Sequence, residues 1–516
     1  MLVAGQKDMQ QLDQYTMERI GLPGVVLMEN AGAKVVEEIM NSLPLEQAKI
    51  VVLAGGGNNG GDGFVIARLL ADKGIKTLLC VLVDVEHVKG DAKVHLDVYK
   101  NRHLPLFELS KNTLENLKKE LNIADIIVDA MLGTGVIGAV REPFSEVISI
   151  VNDYGKEKLV MSVDIPSGVS SDTGKVEGVA IIATKTVSFV LPKKGFFLAE
   201  GPRHIGEWKV VDISVPLLAI QELGLTLPIL ITKTLVKSSL PVRPPHGHKG
   251  TFGHVLIVGG SRPYVGAPVY AAKSAFFSGA GLVTLAIPEN IYPMVATQNP
   301  ESLLLPLAEQ DGHFAEHALE ELLSRLSTFT SIAIGPGMGR FDGGERLIKN
   351  LFTSLAKQSI VLDADALFFI RNQLDMIKHY NGDVILTPHP GEMATLLNTT
   401  VYEIEANRLD VAKDFAVNNQ VYLMLKGHRS IIATPTGEVY INPFGNDALG
   451  KGGSGDVLTG LITSFLAQGA TPIHALISAS YVHAEAGEEQ AKIFSQYGVT
   501  PLDTIDGIRK ELIKLS

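Results

Sequence analysis

Short apolar runs recur along this chain, each closing on a glycine-bearing turn and leading into a stretch of helical period. The first is residues 49–54, a buried strand that runs into Gly55-Gly56-Gly57-Asn58-Asn59-Gly60-Gly61-Asp62-Gly63 and then a helix over 64–73. Upstream, residues 8–40 have helical period, broken at Leu22-Pro23-Gly24. Downstream, strands are predicted at 77–83, 124–130, 159–164 and 210–213, with helices at 91–100, 112–120 and 144–152. Strands that alternate with helices predict a parallel sheet covered on both faces. Ligands of such sheets lie outside the carboxyl ends of the strands. The loop at 55–63, the turn at 129–135 and the turn at 164–168 should therefore share one crevice.

Periodicity lapses after residue 213, where Pro216, Pro228, Pro241, Pro244 and Pro245 accumulate. This marks a boundary, with a first domain at 1–213, a linker at 214–240 and a second domain at 241–516. The second half restarts the alternation. Strands are predicted at 253–258, 282–287, 331–334, 360–363, 383–387 and 421–425, and a hairpin at 431–442. A helix of small residues is predicted at 267–279, where core packing competes with subunit packing. Asn446 to Leu458 reads NDALGKGGSGDVL and opens directly into an apolar helix. The free N–H groups and dipole of such a helix start attract anions.

Composition narrows the function classes. A chain of 516 residues is too long for one core, and 46% hydrophobic with 20% charged residues describes a buried globular protein. Net charge −11 argues against nucleic acid or an anionic membrane as partner. A lone cysteine, Cys80, within an apolar run excludes an intrachain disulfide and reads as a core thiol. No apolar run approaches the roughly 18 residues of a membrane span. A cytoplasmic location is expected.

Several side chains are candidates for chemistry. Asp456 is the odd member of the anion-binding loop, because phosphate repels a carboxylate; it is either a base that activates a hydroxyl or a partner of the helix dipole. Asp164 ends a buried strand, where desolvation raises a carboxyl toward proton transfer, or it caps the turn before Pro166. Asn58, Asn59 and Asp62 offer oxygen ligands to a cation or a hydroxyl-rich ligand. Lys426, at a strand end, reaches either nucleotide phosphates or solvent. His389 between two prolines is rigidly placed to bond an amide or phosphate. Asp363 and Asp365 either help hold hydrated Mg²⁺ or serve the strand turn. Asp125, at a strand start, reads as structural, and His483 on a late helix as a core or surface histidine.

The motifs taken together resemble a known family. HKGTFGHVLIVGGS, SGAGLVTLAIP, GPGMG, VLDADAL, LTPHPGEM and NDALGKGGSGDVLTG stand in the order seen in ADP/ATP-dependent NAD(P)H-hydrate dehydratases of the ribokinase-like fold. LMENAG, AGGGNNGGDG, DAMLGTG and SVDIPSG resemble the NAD(P)H-hydrate epimerase domain of the YjeF N-terminal type. The resemblance covers nearly the whole chain. It implies two three-layer αβα domains, the first Rossmann-like and the second ribokinase-like, fused as in the bifunctional nicotinamide nucleotide repair family.

The resemblance also implies substrates and residue roles. The ligands would be the small molecules NADHX and NADPHX, hydrated at C6 of the nicotinamide ring, with ADP or ATP as phosphoryl donor and Mg²⁺ alongside. In the second domain Asp456 would deprotonate the C6 hydroxyl, and Gly453, Ser454 and Gly455 would stabilise the transferring phosphoryl. Lys426, Gly427, His428 and Arg429, with Asn446, Gly450, Lys451 and Gly452, would hold the nucleotide. Gly337, His389, Pro390, Gly391 and Glu392 would hold the hydrate. In the first domain Asn58, Asn59, Gly60, Gly61, Asp62, Gly133, Thr134, Gly135 and Asp164 would surround the hydrate, Asp164 moving a proton. Asn59, Asp125 and Ser167 would hold K⁺, against the structural reading of Asp125 alone. A homo-oligomer is the expected state. Two rivals remain: a ribokinase-fold vitamin-precursor kinase, which the fused first domain and the HPGE turn disfavour, and a nucleotide-binding protein without turnover.

Overall fold

The computed structural model describes residues 1–42, 48–109, 114–136, 138–318 and 320–516. They form two compact units, Leu2–Leu227 and Pro228–Ser516, the second also including Met1.

In the first unit, seven parallel strands run β1 (Lys49–Ala54), β2 (Lys76–Val81), β3 (Leu106–Glu108), β4 (Ile126–Ala130), β5 (Leu159–Val163), β6 (Lys185–Phe189) and β7 (Glu207–Val211). Their order across the sheet is β3-β2-β1-β4-β5-β6-β7. The order reverses between β1 and β4. The run at 49–54 shows why the sheet is covered on both faces. Ile50, Val52 and Ala54 join one core layer, and Val51 and Leu53 the other, the period-2 alternation of a strand buried on both sides. Cys80 lies in the second layer, fully buried, and burial pushes its thiol up to about 12.

One predicted element changes its start. The helix expected from residue 64 begins at the asparagine pair, as Asn58–Asp72. The glycines form its first turns because neighbours crowd them. A Cβ on Gly60 would lie 2.0 Å from the Gly55 carbonyl oxygen, and one on Gly61 2.4 Å from the Met28 sulfur. The helix predicted at 112–120 is Leu114–Ile123, with residues 112 and 113 outside the described ones. β3 and β6 carried no distinct run and were not predicted.

In the second unit the strands are β8 (Ile229–Leu230), β9 (His254–Val258), β10 (Leu282–Pro288), β11 (Leu303–Leu307), β12 (Glu309–Gln310), β13 (His313–Phe314), β14 (Ser331–Ile334), β15 (Ser359–Leu362), β16 (Val384–Leu386), β17 (Tyr422–Leu425), β18 (Ile431–Ala433) and β19 (Val439–Ile441). Ten form one sheet, ordered β11-β10-β9-β14-β15-β16-β17-β18-β19-β8, and β12 and β13 form a separate ribbon. The order reverses between β9 and β14, and β17-β18-β19 supplies the predicted antiparallel hairpin. The small-residue helix Gly266–Phe277 buries Ala271, Ala272 and Ala275 in the core, against Leu458, Leu461 and Phe465 of the helix Ser454–Ala467.

The proline-rich stretch at 214–240 is divided between the units. Val215, Ala219 and Leu227 join the first core, and Ile231 and Val236 the second. The buried apolar residues of this stretch are thus shared between the two cores, while Leu217 and Leu218 stay exposed.

Candidate active sites

Where the first sheet's strand order reverses, the ends of β1 and β4 open onto a crevice of about 690 Å³. Asn58, Asn59, Asp62, Gly133, Thr134, Gly135 and Asp164 all line it, so the three predicted turns do converge. Gly60 and Gly61 do not; they are the close-packing glycines of the helix start.

Asp164 is held in an uncommon way. Its φ is +63°, a left-handed value for a non-glycine residue, and Val190 has φ +65°. Asp164 Oδ1 accepts three hydrogen bonds: from the Lys193 ammonium at 2.5 Å, from Phe189 N at 3.0 Å and from Ser188 Oγ at 3.2 Å. Lys193 is fully buried and also donates to the carbonyls of Phe189 and Leu191. Nothing in the sequence marked Lys193 beyond a lysine pair after Pro192. Asp13, on the helix Gln6–Tyr15, was likewise missed and lines the same crevice. Burial, then the nearby Asp164 charge, push its carboxyl up to about 6, against the opposing pull of Lys193. Burial pushes Asp62 well above the carboxylate range, helped by Asp164 and Asp13.

Asp129 ties β4 to the turn after β5. It is fully buried and accepts from Ser162 Oγ at 2.8 Å, Ser167 N at 2.9 Å and Ser167 Oγ at 2.5 Å. Ser167 Oγ also lies 3.1 Å from the Leu132 carbonyl, to which Asn59 Nδ2 donates at 3.0 Å. Asn59 and Ser167 are thus joined through Leu132. Asp125 is not with them. It sits at the start of β4, roughly 13 Å along the strand from Asp129, where its carboxylate accepts from Lys49 N at 2.8 Å. The ligand triplet implied by the resemblance is corrected here: Asp125 performs the structural task that its place at a strand start suggests, and Asp129 stands beside Asn59 and Ser167 instead.

The second site centres on the start of the helix Ser454–Ala467. Gly453 precedes it with φ +97°, and a Cβ there would lie 2.7 Å from Pro501 and 2.9 Å from the Tyr270 ring. Asp456 is on the first turn. Burial, then the Asp363 charge, push its carboxyl up to about 7, and Lys426 opposes them. The Lys426 ammonium donates to Asp363 Oδ1 at 2.7 Å and lies 3.9 Å from Glu392 Oε2. A Cβ on Gly455 would lie 3.5 Å from that ammonium, so the glycine turn and Lys426 are neighbours. Burial disfavours the charge on Asp363, but Lys426 and the hydroxyl of Thr459, at 2.6 Å, outweigh it and hold the group below its usual range. Asp363 is therefore taken up by Lys426. Asp365 accepts from Gly339 N at 2.8 Å.

Other predicted residues have local tasks. His389 caps the helix Pro390–Leu397: its Nδ1 accepts from Gly391 N at 3.0 Å and Glu392 N at 3.3 Å, while Glu392 accepts from His389 N at 2.8 Å. Gly337, with φ +65°, lies against Tyr264 where the strand order reverses. Asn446 accepts from Ala448 N at 3.1 Å, and Lys451 Nζ donates to the Tyr497 carbonyl. Gly450 and Gly452 are in the same turn, and Gly427, His428 and Arg429 follow β17. Two further residues shape this site, Arg408, which nothing in the sequence marked, and His483, which is the core histidine expected. Arg408 is buried and donates to the carbonyls of Leu425, Lys426 and Arg429, which shapes the turn bearing Lys426. His483 Nε2 lies 3.0 Å from the Ser454 carbonyl and 3.2 Å from Ser454 Oγ, and burial lowers its pKa to about 4. A neutral His483 thus braces the helix start.

Among the described residues no group of three or more His, Cys, Asp or Glu could hold a metal ion. No helix among them is long and apolar enough to cross a membrane.

Comparison with known proteins bears on both sites. The NAD(P)H-hydrate dehydratase family matches residues 255–510, and the YjeF-related protein N-terminus family matches residues 24–195. A bifunctional NAD(P)H-hydrate repair enzyme of Moorella thermoacetica is 39% identical over 97% of this chain and 94% of its own length. One of Thermofilum pendens is 35% identical over 99% and 96%. The crystal structure of a ribokinase-like superfamily protein of Enterococcus faecalis superposes with TM-score 0.50 at 26% identity, covering 56% of this chain and 96% of that one.

Proposed function

Because the chain belongs to the family of bifunctional NAD(P)H-hydrate repair enzymes, we propose that its two sites divide the family's two reactions between them. The chain is an epimerase and a dehydratase of hydrated nicotinamide nucleotides. We assign the interconversion of R and S hydrates to Leu2–Leu227 and the dehydration of the S form to Pro228–Ser516. ADP or ATP supplies the phosphoryl group. Hydroxide is a poor leaving group. Phosphorylation of the C6 hydroxyl makes a good one, and the ring nitrogen expels it.

The observation that carries the reading is Asp456: a carboxyl raised to about 7 on the first turn of a glycine-initiated helix, beside Lys426. Its task is to accept the hydroxyl proton while the amides of Gly453, Ser454 and Gly455 face the transferring phosphoryl. Lys426, held by Asp363 and Glu392, places a positive charge at the same spot. With Asp363 so occupied, and no metal-holding carboxylate group among the described residues, Mg²⁺ would arrive with the nucleotide, its ligands phosphate oxygens and water. The test is direct. Purified protein with mixed R and S NADHX, ADP or ATP, and Mg²⁺ is expected to restore the NADH absorbance of the whole sample and to release inorganic phosphate. No recovery with either nucleotide would refute the reading, and a stable phosphate ester would favour the vitamin-kinase rival.

In the first site Asn59, Asp129 and Ser167, with the Leu132 carbonyl, offer oxygens around a buried carboxylate that, among the described residues, has no cationic side chain as partner. That donor chemistry fits a hard monovalent cation such as K⁺. A bound K⁺ would neutralise Asp129 and fix the turn that carries Gly133 to Gly135. K⁺ is expected to raise the melting temperature of the first unit, a ligand at 100 times its Kd adding about 2.7 kcal/mol. Asp129→Asn should remove the rise. An equal rise with tetramethylammonium would dismiss the site.

A further inference from the structure

Asp13 stands in the first crevice without a structural occupation. The helix Gln6–Tyr15 buries Met9 and Leu12 in the core and presents Asp13, with Gln10, to the crevice wall. Asp13 lies in the last turn of that helix, where a carboxylate caps no free N–H. Among the described residues its carboxyl accepts no hydrogen bond and makes no ion pair, although it is half-buried. A carboxyl in that position costs stability. The other carboxyls nearby are accounted for differently. Asp164 has one oxygen fixed by Lys193, Ser188 and Phe189 N. Asp62 is buried, and burial with the Asp164 and Asp13 charges pushes its carboxyl well above its usual range, whereas Asp13 is only half-buried and more open to the crevice. The charged groups acting on Asp13 are Asp164 and Lys193, with Asp62 beside it; Asp91 and Arg141 line the same crevice.

Inversion at C6 of the hydrate requires two proton-handling groups. The C6 carbon bears both the hydroxyl and the ring nitrogen, so the ring can open without loss of any atom. The hydroxyl proton passes to a carboxylate, the C6–N1 electron pair moves onto N1, and N1 takes a proton from an acid. C6 is then an aldehyde carbon. Rotation about C5–C6 presents its other face, and reversal of the same transfers closes the opposite epimer. The cycle needs one charged and one protonated carboxyl, which exchange roles on closure, and no oxidant or reductant. Asp164, with one oxygen fixed by the buried Lys193 ammonium and the other left to the crevice, suits one part. A group that exchanges its proton near neutrality, unencumbered and open to the same cavity, suits the other.

We propose that Asp13 is a catalytic residue of the first site, the proton-transfer partner of Asp164 in epimerisation. The proposal rests on the assignment of epimerisation to this crevice. Its test uses the full chain, whose second domain consumes the S form at once and leaves R-form recovery limited by epimerisation. Asp13→Asn is expected to slow R-form recovery at least about 100-fold, with S-form recovery within twofold of the parent. The parent's R-form rate should show an inflection near pH 6 that the variant lacks. Asp13→Glu, which keeps the carboxyl one methylene away, should recover at least about tenfold over Asn. A purely structural role would not distinguish Glu from Asn in this way. R-form recovery by Asp13→Asn within threefold of the parent, or equal loss in Asn and Glu variants, overturns the proposal. Failure of the parent itself on the R form would instead overturn the assignment of the crevice.

Discussion

Asp456→Asn is expected to abolish NADH recovery from both epimers, with kcat for the S form falling by about 10³-fold or more. Asparagine keeps the shape and removes the group that takes the proton. Both epimers are lost because the R form has no exit except through the S form. The parent's kcat/KM should fall tenfold per pH unit below about 7, where Asp456 becomes protonated, and be level above it. The expected stability change separates lost chemistry from a lost fold. Asp456 has a higher pKa in the folded chain than in the unfolded one, because burial and Asp363 disfavour its charge. The folded state therefore holds the proton more tightly, and stability falls as pH rises from the ordinary carboxylate range through about 7. At pH 8 the asparagine variant should melt no lower than the parent. Inactivity with a preserved or raised melting temperature supports the assignment. An active variant refutes it, and an inactive, unfolded one would show that Asp456 holds the loop together.

The sequence exposed what depends on local pattern. The run at 49–54 announced a strand buried on both faces, and glycine turns at strand ends named the first unit's crevice and the second unit's loop at Gly452 to Gly455. Asp456 was visible because a carboxylate in an anion-binding loop is chemically out of place. Residues whose task depends on distant partners were invisible. Lys193 reads as one of two lysines after a proline, and only the fold shows its ammonium enclosed by carbonyls beside Asp164. Arg408 lies on a helix and works on a turn some twenty residues later in the chain, at Arg429. His483 was read as a core or surface histidine and is a buried, hydrogen-bonded one, but nothing local named its partner Ser454. The K⁺ triplet failed for a geometric reason. Asp125 and Asp129 are the two acidic ends of one strand, ADIIVDA, and pattern alone does not say which end faces the ligand. Parallel register does: β1 and β4 bring residue 129 beside Leu53, next to the glycine turn, and leave residue 125 near Lys49.

Asp164→Asn is expected to stop R-form recovery and leave S-form recovery unchanged, a loss of about 10²-fold or more in one reaction alone. The variant should also unmask what Lys193 costs. Lys193 is fully buried and its charge is balanced by Asp164. Removal of one partner of such a pair leaves a charge in a medium that cannot solvate it, typically a penalty of about 3 kcal/mol or more. The first unit should therefore melt at a lower temperature, and that loss could by itself explain inactivity. Asp164→Asn combined with Lys193→Met resolves the two. The double variant buries no charge, so its melting temperature should return toward the parent's, a coupling that exceeds the sum of the single effects. Its R-form recovery should stay absent, because stability returns and the proton carrier does not. Recovery of both would mean that Asp164 serves only to neutralise Lys193, and loss of S-form turnover in either variant would mean that the two reactions are not divided between the two units.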